Sequence, residues 1–194
     1  MKSIQLLKQA ETLQYQLTTI QTPQGNTIKW ESYQRKDLHI PDFLRVIFKS
    51  KHKMLIEKSF RPILDQECYG FISILNTIDN PSDEQIKSQL YHHFELKEND
   101  IQSFKCLRYN HYANPDECNS SQWLCICEVN DIDELLIRFN KEDTLLQIKE
   151  MNNNHFVVID TNDKRQLETF LNETSILFDE ECYTFLFSFL HLQF

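Results

Sequence analysis

With 194 residues, 41% apolar and 25% charged, the chain is long enough to bury a core without disulfide or metal staples and too apolar to be disordered. Only two glycines occur, Gly25 and Gly70, against roughly 7% in ordinary proteins; this excludes glycine-built phosphate loops, dinucleotide fingerprints and G-x-S-x-G nucleophile elbows. The net charge of −9 argues against nucleic acid or an anionic membrane as the main partner, because both demand clustered Lys and Arg.

In chain order, "SIQLLKQAETLQYQL" sets Leu6, Ala10, Leu13 and Leu17 at helical spacing, and a short helix is expected there. The Thr- and aromatic-rich "QYQLTTIQTPQGNTIKWESY" reads as a β-hairpin centred on Gln24-Gly25. Residues 29–61 then carry nine bases against four acids, a local +5 that leaves −14 elsewhere. The apolar, basic-interrupted run from His39 to Leu75 is expected to form helices broken near Pro62. "NPSDEQIKSQLYHHFEL" has every mark of a helix: Asn80 to cap it, Pro81 in its first turn, Asp83 and Glu84 at the positive dipole end, and Ile86, Leu90 and Phe94 on one face.

From about residue 101 strands and helices alternate. "IQSFKCLRY" and "QWLCICEV" read as strands. "DIDELLIRFN" reads as a helix with Asp131 and Glu134 in capping-box spacing and Ile132, Leu135, Leu136 and Phe139 inward. "TLLQIKEM" and "HFVVID" flank "NNN" as a hairpin. A further helix is expected from Thr161 or Asn162 with Leu167, Phe170 and Leu171 inside, and a last one capped by Asp179 that buries Cys182, Phe185, Leu186, Phe189 and Leu190. The expected fold is therefore one compact α+β domain over residues 1–194. It has a mainly helical N-terminal half with a hairpin, a mixed C-terminal half around an antiparallel sheet, and a soft seam near residues 97–100.

Three clusters carry candidate chemistry. Cys106, His111, Cys118, Cys125 and Cys127 offer soft ligands to zinc, but Cys125-x-Cys127 is not the Cys-x₂₋₄-Cys knuckle that structural zinc uses. On a strand, Trp123, Cys125, Cys127 and Val129 share one face, and core cysteines are the expected reading, with no metal and no cofactor. "LRYNHYANPDEC" gathers Arg108, Tyr109, His111, Tyr112, Asp116 and Glu117. Its histidine can work as an acid or base near neutral pH, with Arg108, Tyr109 and Asp116 beside it, and its tyrosines are typical interface anchors. His92 and His93 are adjacent, which is not the i, i+4 spacing of a metal pair on a helix.

Absence of motif, small size and acidity lead to the expectation of a cytoplasmic, non-catalytic binding protein that occludes a basic protein partner, of the kind that neutralises a bacterial toxin. In that reading Tyr109, Tyr112, Asp116, Glu117, Asp131, Asp133 and Glu134 form the contact surface. The alternatives are an adaptor or chaperone for a secreted protein, and an enzyme whose site assembles around His111, Tyr109, Arg108 and Asp116. No uninterrupted apolar run is long enough for a leader or a membrane span, and the oligomeric state is not encoded in any motif.

Overall fold

The chain opens in strands, not helices. In the computed structural model, which describes residues 2–9, 13–22, 24–35, 40–61, 65–112, 121–140, 155–173 and 177–191, β1 (Lys2–Gln9), β2 (Leu13–Gln21) and β3 (Thr27–Arg35) form an antiparallel three-stranded sheet. The hairpin around Gly25 is where the sequence places it: Gln21 pairs with Thr27, and Gly25 takes the left-handed φ of 84° that glycine tolerates. The Gly25 N–H donates to the Thr22 carbonyl at 3.0 Å. The helix expected before it is replaced by β1 and β2, paired from Lys2↔Ile20 to Gln9↔Gln14. Residues 3–17 satisfy a period of two as well as 3.6, and cross-strand pairing with a Thr- and Tyr-rich neighbour decides between them.

The basic segment is also strand. β4 (Phe43–Ser50), β5 (Lys53–Arg61), β6 (Gln66–Gly70) and β7 (Ile72–Leu75) occupy the stretch expected to be helical. The reason lies in burial on both faces. Phe48 pairs with Leu55, which pairs with Val158, and these share one face; Met54, Ile56, Val157 and Ile159 take the other. A strand covered on both sides shows a continuous apolar run with no alternation, and periodicity cannot tell such a run from a helix.

α1 (Asp83–His93) follows, then β8 (Ile101–Tyr112), β9 (Ser121–Val129), α2 (Ile132–Asn140), β10 (His155–Asp160), α3 (Lys164–Leu171), β11 (Leu177–Phe178) and α4 (Glu180–His191). The large sheet has eight strands in the order β11-β6-β5-β4-β9-β8, with β10 on β5 and β7 on β4. It is mixed rather than antiparallel, since β11 runs parallel to β6. One face carries Ile47, Met54 and Ile56 under Leu167, Leu171, Cys182 and Leu186 of α3 and α4. On the other, Phe48, Phe94, Phe139 and Phe156 form a contiguous ring cluster with centroids 5.2 to 5.8 Å apart. Ion pairs tie down the basic run: Arg45 to Asp179, Lys49 to Glu128, Lys53 to Asp133 and Lys58 to Glu67.

The helix assignments after residue 80 hold, with shifted caps. Ser82, not Asn80, caps α1 in a reciprocal box with Gln85, and Asn80 stands outside with a φ of 46°. Asp163, not Thr161 or Asn162, caps α3. Asp131 and Asp179 cap α2 and α4 as expected, accepting from Glu134 N at 2.9 Å and Cys182 N at 2.7 Å. The strand expected over "TLLQIKEM" lies outside the described residues. The fold is thus mostly β with four short helices among the described residues, and the mainly helical N-terminal half is corrected. None of those helices is long and apolar enough to cross a membrane. The chain divides into two compact units: Met1–Leu44 with Leu75–Pro81 and Leu107–Trp123, and Arg45–Ile74 with Ser82–Cys106 and Leu124–Phe194.

Candidate functional site

The stretch that gathers acid-base and aromatic residues begins on β8, in the first unit. Arg108 lies over the Trp123 ring, its guanidinium carbon 5.3 Å from the centroid. This is a cross-strand cation–π pair, and Trp123 is buried while Arg108 is exposed. Tyr109, His111 and Tyr112 lie on β8 beyond it, and their side chains are outside the described set. Asp116, Glu117 and Cys118 fall wholly outside the described residues.

The same unit contains a buried polar knot that sequence reasoning missed. Asp42 is 2% exposed, and its Oδ2 accepts from the Ser121 backbone at 3.1 Å while its own N–H donates to the Ser121 carbonyl at 2.9 Å. The Asp42 carbonyl accepts from Asn76 N at 2.8 Å, and the Asn76 side-chain amide donates to the Pro41 and Ile78 carbonyls. A buried carboxylate is affordable only when hydrogen-bonded, and these bonds fix where β9 starts. No signal in the sequence distinguishes Asp42 from a surface acid, because its partners are backbone groups remote in the chain.

Cys106, Cys125 and Cys127 lie in the second unit. Trp123, Cys125, Cys127 and Val129 form the buried face of β9, as the period of two requires. Cys125 donates its S–H to the Cys106 sulfur at 3.7 Å. That bond, with burial behind it, pushes the Cys125 thiol far up, and burial pushes Cys127 up to about 12. Of the other candidate zinc ligands, His111 has no described side chain and Cys118 is not described.

The acids proposed as a contact surface have separate local roles. Asp131 caps α2, Asp133 pairs with Lys53, and Glu134 stands 4.0 Å from Arg138. His93 is half-buried against Phe94, and burial first, then the neighbouring His92 charge, lowers its pKa. A groove of about 430 Å³ runs between α3 and α4, with Lys164, Glu168 and His191 around an apolar floor. None of the expected site residues lines it.

Among the described residues no three of His, Cys, Asp and Glu come together to hold a metal ion.

No family model and no curated protein matches the sequence. A solved structure does: the chain is similar to the crystal structure of an ADP compounds hydrolase, with a TM-score of 0.62 and 10% identity, over 95% of this chain and 88% of that one. This finding corrects the expectation of an immunity-type toxin inhibitor, which rested on size, acidity and missing motifs, none of them a positive signal. At this identity the likeness is one of fold, and it extends over nearly all of the chain.

Proposed function

We propose that the chain is an enzyme that hydrolyses an adenosine diphosphate compound, with its working groups on and after β8. The observation that supports this is the fold likeness, which runs the length of both chains rather than over one shared motif. The composition sets how the diphosphate would be held. With glycine only at positions 25 and 70, a glycine-built phosphate loop is ruled out, which favours side-chain cations as partners of the anionic oxygens.

Arg108 is suited to that role: it is exposed, permanently charged, and steadied by the Trp123 ring. In this reading His111 takes a proton from the attacking water, whose oxygen bonds to phosphorus as the bridging P–O bond breaks. The departing phosphate leaves with the bond's electron pair, which Arg108 stabilises. Tyr109 and Asp116 orient the histidine and the water.

The test is product analysis by chromatography and phosphorus NMR after incubating the protein with a panel of ADP compounds, with and without divalent cations. Cleavage that falls by about 10² to 10⁴ in His111→Ala, in a protein that still melts cooperatively, supports the assignment. Cleavage that persists undiminished in that variant refutes the site, and an uncleaved panel refutes the activity.

A further inference from the structure

We propose that Cys106 and Cys125 are a redox couple that closes to an intramolecular disulfide when a peroxide acts on Cys106. The inference does not depend on the hydrolase reading. It starts from strand register. Arg108 faces Trp123, Cys106 faces Cys125, and Ser103 Oγ donates to Glu128 Oε2 at 3.2 Å. Each step down β8 is matched by one step up β9, so the two strands run antiparallel and the two thiols sit directly opposite each other. Directly opposed positions bring Cβ atoms to roughly 4.5–5.5 Å, within about 1 Å of the roughly 3.5–4.5 Å a disulfide uses, so the strands must draw slightly together as the bond forms. The sulfurs are already 3.7 Å apart, so closure needs side-chain rotation rather than a new strand pairing.

The two thiols are unequal, and the inequality sets the order of events. Cys106 is partly exposed, whereas Cys125 is fully buried. Cys125 donates its proton toward the Cys106 sulfur, which favours negative charge on Cys106, the more exposed residue of the two. Cys106 thiolate attacks one peroxide oxygen, the O–O bond breaks, and the sulfur becomes a sulfenic acid while the peroxide is reduced to water. The Cys125 sulfur then displaces hydroxide from the Cys106 sulfur. Its proton leaves with that hydroxide as a second water, and the S–S bond forms. Two electrons pass from the thiol pair to the peroxide, and two hydrogens leave the protein. Cys127, two residues further along β9, lies on the same buried face but opposite Phe104 by the same register, so it has no thiol across from it.

The experiment is intact-protein and peptide mass spectrometry on the full chain, reduced, then exposed to hydrogen peroxide. The expected result is loss of two hydrogens, restored by reductant, with one linked peptide pair joining Cys106 to Cys125. Cys127→Ser should leave that link unchanged. Cys125→Ser should stop the reaction at a Cys106 sulfenic acid that dimedone traps, and Cys106→Ser should abolish peroxide uptake at this pair. A link that joins Cys127 or a second chain instead overturns the proposal. So does wild-type Cys106 advancing to sulfinic acid with Cys125 still alkylatable after unfolding. The wild-type measurement stands even if a serine variant fails to fold.

Discussion

Replacing Gly70 by alanine tests the packing that fixes α4. A Cβ at that position would lie 2.4 Å from Asp179 Oδ2 and 3.2 Å from its Cγ, so the carboxylate must move. That carboxylate has two duties: Oδ1 accepts from Cys182 N at 2.7 Å to cap α4, and Oδ2 takes Arg45 Nη1 at 3.1 Å. Losing the cap costs about 1 kcal/mol. Losing a charge-assisted bond between side chains only about one-fifth exposed costs about 1–2 kcal/mol after allowing for solvent screening. Gly70→Ala should therefore destabilise by about 2–3 kcal/mol, read as a lower urea midpoint at unchanged slope. The control is a double-mutant cycle. In an Asp179→Ala background the clashing atoms are gone and the remaining Cβ is at 3.8 Å, an ordinary contact, so the same Gly70→Ala change should cost under about 0.5 kcal/mol. Equal costs in the two backgrounds, or no cost in the first, would mean that the Asp179 carboxylate does not depend on the space Gly70 leaves.

Ser82→Ala should lose about 1 kcal/mol by removing the α1 capping box, while Asn80→Gly, at a left-handed φ, should be neutral or stabilising; urea titration of both decides which residue is the cap. Leu186→Ala, fully buried under the sheet, should cost about 2–5 kcal/mol, against less than about 1 kcal/mol for the exposed Phe187→Ala, measured the same way. Because burial lowers the His93 pKa from 6.5, the unfolded chain binds the proton more readily. Stability is then complete above the unfolded pKa and falls as pH drops from there toward the depressed folded value. Unfolding free energies measured from about pH 7.5 to 5 should show that slope in wild type and a flatter one in His93→Gln; identical slopes would refute it.

The second half of the chain was legible because its signals are local. A capping pair such as Asp131 and Glu134, or the alternation from Trp123 to Val129, is complete within a few residues. The first half was not, for two physical reasons. β4 and β5 are buried on both faces and so lose the alternation that marks a strand, and β1 and β2 fit both periods until their partners are known. The basic run suffered the same blindness. Lys49, Lys53 and Lys58 look like a patch in sequence, yet each meets an acid, Lys49 and Lys53 from a distant part of the chain and Lys58 from the neighbouring strand β6. At the candidate site the sequence marked Arg108 but not its ring partner Trp123, nor Asp42, since both relations span strands. Function was the least legible, because no motif marks it and the end-to-end likeness to a hydrolase lies in the fold, at 10% identity.

We propose hydrolysis of an ADP compound, with the working groups in the stretch that begins at Arg108. The most direct measurement is the turnover of ADP compounds by purified wild type and His111→Ala, compared at equal folded concentration and across pH. The wild type should cleave the diphosphate, and the variant should lose that cleavage by about 10² or more. Equal turnover in the two proteins, or an intact panel after prolonged incubation with folded wild type, would contradict it.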